Sequence, residues 1–229
     1  MHNLEKIIPN RKKALFLAKR ELPVLVCDAI NLEGINYTLP EVQTLLDGVT
    51  VGGHKISDES ITLNQAKAWG YLFNNLKNDQ FELSKEFCCK LHAIAAYEES
   101  LEWGCFRRSG VTIVGTSYNP PEAKLLDELW NKMVAEAIAI TDIYDKAIYI
   151  FLQMSRNQFF YDVNKRMGRF MMNGILLSQG YPIINLPAKR QLEFNQLMLA
   201  FYNTADVVAM TVFMKSCLDQ RTVAIMSEI

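Results

Sequence analysis

Glycine and proline are scarce in this chain, 11 and 7 of its 229 residues, and between them apolar side chains recur at helical spacing. That pairing constrains the fold most: the residues that interrupt helices are missing from long segments that each carry one apolar face. In "SITLNQAKAWGYLFNNLK" the apolar positions Ile61, Leu63, Ala66, Trp69, Leu72 and Phe73 fall close to a 3.6-residue period, with Asp58 or Ser60 available as N-cap. "LSKEFCCKLHAIAAYEES" repeats the pattern through Leu83, Phe87, Leu91 and Ala95, and "EAKLLDELWNKMVAEAIAI" follows Pro120 and Pro121 as another good helix former. Residues 142–156, 164–178, 188–202 and 205–218 read the same way. One stretch breaks the rule. "GVTIVG", at 110–115, is β-branched and bounded by glycines, which predicts a small β-hairpin or extended flap. The expected fold is mainly α, with a small β-hairpin flap, in a single domain over 1–229.

Bulk chemistry narrows the function classes. Apolar residues make up 50% and charged residues 21%, enough for a substantial core. A formal charge of −1 supplies no basic field for nucleic acid, so no nucleic-acid partner is expected. The cysteines (Cys27, Cys88, Cys89, Cys105, Cys217) are odd in number and contain no C-x-x-C, which points to reduced thiols in a cytoplasmic protein and away from a zinc site. "MHNLEKIIPNRKK" lacks the apolar run of a signal peptide, and "VVAMTVFM" is too short to span a bilayer, so no membrane partner is expected.

The feature that asks for chemistry is "NQFFYDVNKRMGRF", residues 157–170. Asn164 reads as the N-cap of a helix whose apolar stripe is Met167, Phe170, Met171 and Leu176, with Gly174 allowing a close neighbour and "GYP" at 180–182 as the stop. A helix start carries unsatisfied N–H groups and partial positive charge. Adding Lys165, Arg166 and Arg169 costs roughly 0.3–1 kcal/mol for each unfavourably placed charge. Two explanations stand at this point: a solvated charged turn, or a site completed by a bound polyphosphate, with Asp162 placed for a divalent ion.

This segment resembles the Fic (Fido) signature H-x-F-x-[D/E]-G-N-[G/K]-R-x-x-R, with Phe160, Asp162, Asn164, Lys165, Arg166 and Arg169 matching. "GCFRRSGVTIVGTSYNPP" resembles the family's flap, and "AINLEGINYT" its inhibitory helix motif, with Glu33 and Gly34 in place. The likeness runs over about residues 20–200. It implies an N-terminal region with an inhibitory helix (1–50), a Fic core (51–187) with flap 104–121 and motif loop 157–169, and C-terminal helices (188–229). The implied activity is transfer of AMP from ATP, with Mg²⁺, to a hydroxyl of a protein target. Asp162 would hold the metal. Asn164, Lys165, Arg166 and Arg169 would hold the nucleotide phosphates. Glu33 would inhibit by pairing with Arg169. Val111, Thr112, Ile113, Val114 and Gly115 would dock the target by strand addition. A homo-oligomer is left open.

Three departures decide what carries over from the family: at Gln158, at Val163 with the Lys165 form beside it, and at Ala29. The motif histidine falls on Gln158, whose amide cannot act as a general base, a loss worth on the order of 10²–10⁴-fold. The glycine after the acidic position falls on Val163, a residue that disfavours positive φ. Lys165 gives the D-x-N-K-R form of the Doc-like members, which implies phosphate as a rival transferred group. Further, the inhibitory motif's Ser/Thr falls on Ala29, removing one hydrogen bond that would hold Glu33. The functional alternatives are an autoinhibited transferase with slow chemistry and an inactive Fic fold that binds a nucleotide or protein. His2, His54 and His92 match no catalytic position, and the Tyr161 phenol, with an ordinary pKa of about 10, is poorly suited as a base. His92 reads as structural.

Overall fold

The computed structural model describes residues 6–228, and the fold is helical throughout. The helices are α1 (Arg11–Arg20), α2 (Leu22–Asn31), α3 (Leu39–Leu46), α4 (Ile56–Lys77), α5 (Lys85–Ala95), α6 (Leu126–Ala139), α7 (Ile143–Asn157), α8 (Asn164–Ser178), α9 (Gln191–Thr204), α10 (Val208–Ser216) and α11 (Gln220–Met226). Residues 1–5, which include His2, and residue 229 lie outside the described residues. No described helix is long and apolar enough to cross a membrane.

α8 is the centre of the molecule. Asn164, Met167, Phe170, Met171 and Leu176 are all buried, and so are the positions between them except half-buried Lys165, so the buried surface exceeds the expected stripe. α7 packs along it. At Gly168 an added Cβ would lie 3.0 Å from the Phe151 ring and 3.1 Å from the Phe151 carbonyl oxygen, so the two backbones meet there without a side chain between them. Gly174 faces the Phe81 ring, where a Cβ would come within 2.3 Å. α8 stops at Gly180, φ +81, through the paired bonds Tyr181 N–H to Leu176 O (2.9 Å) and Gly180 N–H to Leu177 O (3.1 Å), a Schellman end. The Gly180 carbonyl then accepts from Asn10 N–H at 2.9 Å, while the Asn10 side chain caps α1.

Three expectations change. α4 begins at Ile56 with Lys55 as N-cap, so Asp58 lies in its first turn, where its charge opposes the helix dipole, and neither it nor Ser60 is the cap. Asn164 is the first residue of α8, and Val163 is its N-cap. The flap forms no β-hairpin: no strand occurs among the described residues. A hairpin needs its arms paired with each other, and here one arm is tied to the α7–α8 loop and the other to α9. Arg107 N–H donates to Phe159 O at 2.9 Å, and Thr116 Oγ1 donates to Asn203 Oδ1 at 2.7 Å. Between these anchors the segment forms no strand and turns at Val114 and Gly115, with Val111 and Ile113 half-buried and Thr112 and Val114 exposed.

Candidate functional site

α7 ends on Gln158 in the left-handed region, φ +50, and α8 starts from Val163, also left-handed at φ +65. The loop between them is locked by side chains. Asn164 Nδ2 donates to Phe160 O (2.8 Å) and to Gln158 Oε1 (3.0 Å), while Asn164 Oδ1 accepts from Phe160 N–H at 2.9 Å. Gln158 Nε2 donates to Ser155 O at 2.6 Å. The amide at the position of the motif histidine is thus engaged at both ends. Asp162 Oδ1 accepts from Val163 N–H at 2.6 Å, with the residue otherwise exposed.

Two buried side chains outside the loop fix it further. His92 on α5 stacks on Phe160 with ring centroids 3.8 Å apart. Its Nδ1 faces Gly104 N–H at 3.1 Å, which can only donate, so the proton sits on Nε2 and points to Asp162 O at 3.4 Å. Burial pushes the imidazole pKa down to about 4, so it is neutral. Arg107 reaches across from the flap stem, donating through Nε to Gln158 O (2.6 Å), through Nη1 to Ser109 O (2.7 Å) and through Nη2 to Pro121 O (2.5 Å). One guanidinium therefore joins both flap arms to the loop.

The cations of α8 each meet a carboxylate. Glu33, in the turn that follows α2, lies 3.4 Å from Arg169 Nη2 and 3.5 Å from Lys165 Nζ. Burial alone would raise its pKa; Lys165, Arg169 and Arg166 outweigh that and hold it below the ordinary carboxylate value. Burial pulls the Arg169 guanidinium below its usual range, offset in part by Glu33. Arg166 is paired elsewhere. Its Nη1 donates to Glu99 Oε2 at 2.9 Å and its Nη2 to Glu99 Oε1, a bidentate fork that raises its pKa against the effect of burial.

Beside these groups opens a cavity of about 440 Å³, walled by Glu33, Ile113, Gln158, Asp162, Lys165 and Tyr202. α9 closes the far side with Asn195, Met198 and Leu199, and Thr112 and Val114 of the flap also line it. The fold thus brings Glu33, Gln158, Asp162, Asn164, Lys165 and Arg166 to one cavity, with Arg169 bound to Glu33 at its edge. Val111 and Gly115 stay on the flap outside the lining, Gly115 at φ +86 against Leu199. The sequence reading missed Glu99, Arg107 and the Lys165–Glu33 contact. The first arginine of "GCFRRSG", within the stretch that resembles the family's flap, was the available signal for Arg107; Glu99 carried none.

Residues 82–176 match the family model described as the Fic/DOC family. The proteins called "Protein adenylyltransferase Fic" from Drosophila persimilis and Drosophila erecta are each 23% identical, over 93% and 84% of this chain. The chain spans only 42% and 39% of the length of those relatives. Among solved structures, Fic-1 from C. elegans superposes with a TM-score of 0.76 at 18% identity, over 89% of this chain and 61% of that one. A Fic domain containing signaling protein from Bacteroides thetaiotaomicron does so at 0.75 and 16% identity, over 96% of this chain and 90% of that one. These likenesses establish a Fic-like fold, and the stretch 82–176 is similar to the Fic/DOC family model.

Proposed function

We propose that the cavity at the start of α8 binds a nucleotide polyphosphate, ATP with Mg²⁺, and that the protein transfers AMP, or phosphate, from it to a hydroxyl of a protein target at a rate held low by Glu33 and by Gln158. The observation that carries this is the Glu33 carboxylate lodged between Arg169 and Lys165. A carboxylate there takes the donors that a terminal phosphate needs, and its removal leaves two cations beside helix N–H groups. Lys165 also supplies a hold on Glu33 that Ala29, lacking a hydroxyl, does not. The relatives named adenylyltransferase favour AMP as the transferred group.

The residues present fit a divalent ion. Asp162 offers an exposed carboxylate at the cavity, and among the described residues no group of three or more His, Cys, Asp or Glu stands together, so the ligand's phosphates would complete the coordination. When bound, the ion would supply charge neutralisation across the phosphates. Asn164 holds the loop in shape for them. The unpaired flap, with Val114 94% exposed, offers backbone groups to an extended target segment. The rival reading is a module that binds without turnover. It draws on Gln158, whose amide is occupied by Ser155 and Asn164 and has no proton-accepting form near neutral pH.

Thermal denaturation with ATP and Mg²⁺ tests the site. Glu33→Gly is expected to bind about tenfold tighter than wild type, read as a larger ligand-induced shift in Tm, and Arg169→Ala in that background to abolish the shift. Mass spectrometry of the same samples, for added AMP or phosphate on the chain or on a target, separates transfer from binding alone. No shift in either wild type or Glu33→Gly removes the nucleotide site.

A further inference from the structure

The motif lysine and arginines look like one cationic cluster in the sequence, but the fold splits them. Glu33 faces Lys165 and Arg169 from the mouth of the cavity. Glu99, which is not among the residues that line the cavity, holds Arg166 through both terminal nitrogens. Both carboxylates stand on hydrogen-bonded backbone, and they differ in burial. Glu33 is in a turn closed by Gly34 at φ +84. Glu99 is built in: it follows Glu98 at φ +57, its own N–H donates to Ala96 O at 3.1 Å, and buried Asn64 and Gln65 of α4 donate to the carbonyls of Tyr97 (3.0 Å) and Ala95 (3.5 Å). The Arg166 side chain is 4% exposed and that of Glu99 14%. A bidentate pair this deeply buried is not opened by a ligand as an exposed one would be, since opening it strands a buried charge.

We infer that Glu99 sets the charge of the anion site: it neutralises Arg166 at the cavity wall and leaves Lys165, with Arg169 at the edge, as the cations not held by it, so that the strength of polyphosphate binding is set by a residue outside the motif. This rests on the nucleotide site proposed above. Arg166 lines the main cavity and also, with Arg169, Gln65 and Asn173, a void of about 20 Å³. Glu99 holds both of its terminal nitrogens, and its Nε, buried, has no partner. What it presents to a phosphate is a neutralised pair.

Calorimetric titration of ATP and Mg²⁺ into the Glu33→Gly chain, with and without Glu99→Gln, tests this. Freeing the Arg166 charge is expected to tighten Kd roughly tenfold and to steepen its salt dependence. Equal or weaker binding in the double variant overturns the inference while leaving the nucleotide site standing. No binding in Glu33→Gly itself overturns both. If Glu99→Gln leaves too much unpaired charge to fold, Glu99→Gln/Arg166→Gln in the same background removes both charges at once. Its Kd is expected within about threefold of the Glu33→Gly chain, because the pair carries no net charge. A loss of tenfold or more in that variant would mean that Arg166 contacts phosphate despite Glu99, and the inference falls.

Discussion

At the scale of single residues, the most informative position is Val163. A β-branched side chain at φ +65 is strained, because Cβ crowds the following carbonyl, at roughly 1–2 kcal/mol for an L-residue in this region. The valine persists because its side chain is 2% exposed and its burial contributes about 1.5–3 kcal/mol, enough to offset the backbone term. Strain and burial thus separate under substitution. Val163→Ala keeps the strain and loses most of the burial; Val163→Gly loses slightly more burial and relieves the strain. The glycine variant is expected to be the more stable of the two by about 1 kcal/mol in urea denaturation, the reverse of their order inside a helix. An alanine variant equal to or above glycine would show that φ at 163 relaxes on substitution. Reading the sequence alone identifies valine as unsuited to positive φ; that the loop adopts one regardless is visible only once Asp162 Oδ1 and Asn164 are seen holding both sides of it.

At the scale of elements, α7 and α8 are the pair on which the loop depends, and they were the most legible part of the chain. The expected 164–178 coincides with α8 and the expected 142–156 is displaced by one residue from α7, because a dense 3.6-residue pattern is a local property. The flap was misread for the opposite reason. Alternation and flanking glycines fix an extended backbone, but a hairpin also needs a partner strand, which only tertiary packing supplies. Likewise Glu99 and Arg166 are 67 positions apart, and Glu33 and Arg169 are 136 apart, so no spacing rule reaches them; Glu33 was found through family resemblance and Glu99 was not. The helix pair also allows a test by glycine. At Gly168 a methyl group meets the Phe151 carbonyl and ring, and backbone cannot step aside, so Gly168→Ala is expected to cost about 1–3 kcal/mol. At Gly174 the obstacle is the end of the half-buried Phe81 ring, which can swing, and the better helix propensity of alanine returns up to about 1 kcal/mol. Gly168→Ala should therefore melt lower than Gly174→Ala, and only the former should weaken the ligand-induced shift, since it displaces the helices that carry residues 158–163.

At the scale of the whole molecule, the N-terminal helices act on the site through a few ties. α2 ends just before Glu33, and its position is fixed from the segment that follows α8. Asp28 Oδ1 accepts from Ala188 N–H at 2.8 Å and Oδ2 from Asn185 Nδ2 at 2.6 Å, while Gln191 Nε2 donates to Leu32 O at 3.0 Å. Glu33 can stay between Lys165 and Arg169 only while α2 is held, and Asp28 makes two of the four bonds from that segment, the fourth being Gln191 Nε2 to Asn31 O at 3.4 Å. Asp28→Ala leaves a backbone N–H and an amide unpaired, at about 1–3 kcal/mol. The expected result is a lower Tm without ligand, faster hydrogen exchange in α2, and tighter binding of ATP and Mg²⁺ than in wild type. In the Glu33→Gly background the same change should lower Tm and leave affinity unaltered, because the carboxylate whose release it promotes is already gone; such non-additivity marks two changes acting through one element. Since the Asp28 charge also acts on Arg169, Asp28→Asn, which keeps an acceptor and removes the charge, separates field from tether. Affinity that rises as much in Asp28→Asn as in Asp28→Ala would assign the effect to charge, and affinity that rises only in Asp28→Ala assigns it to the freedom of α2.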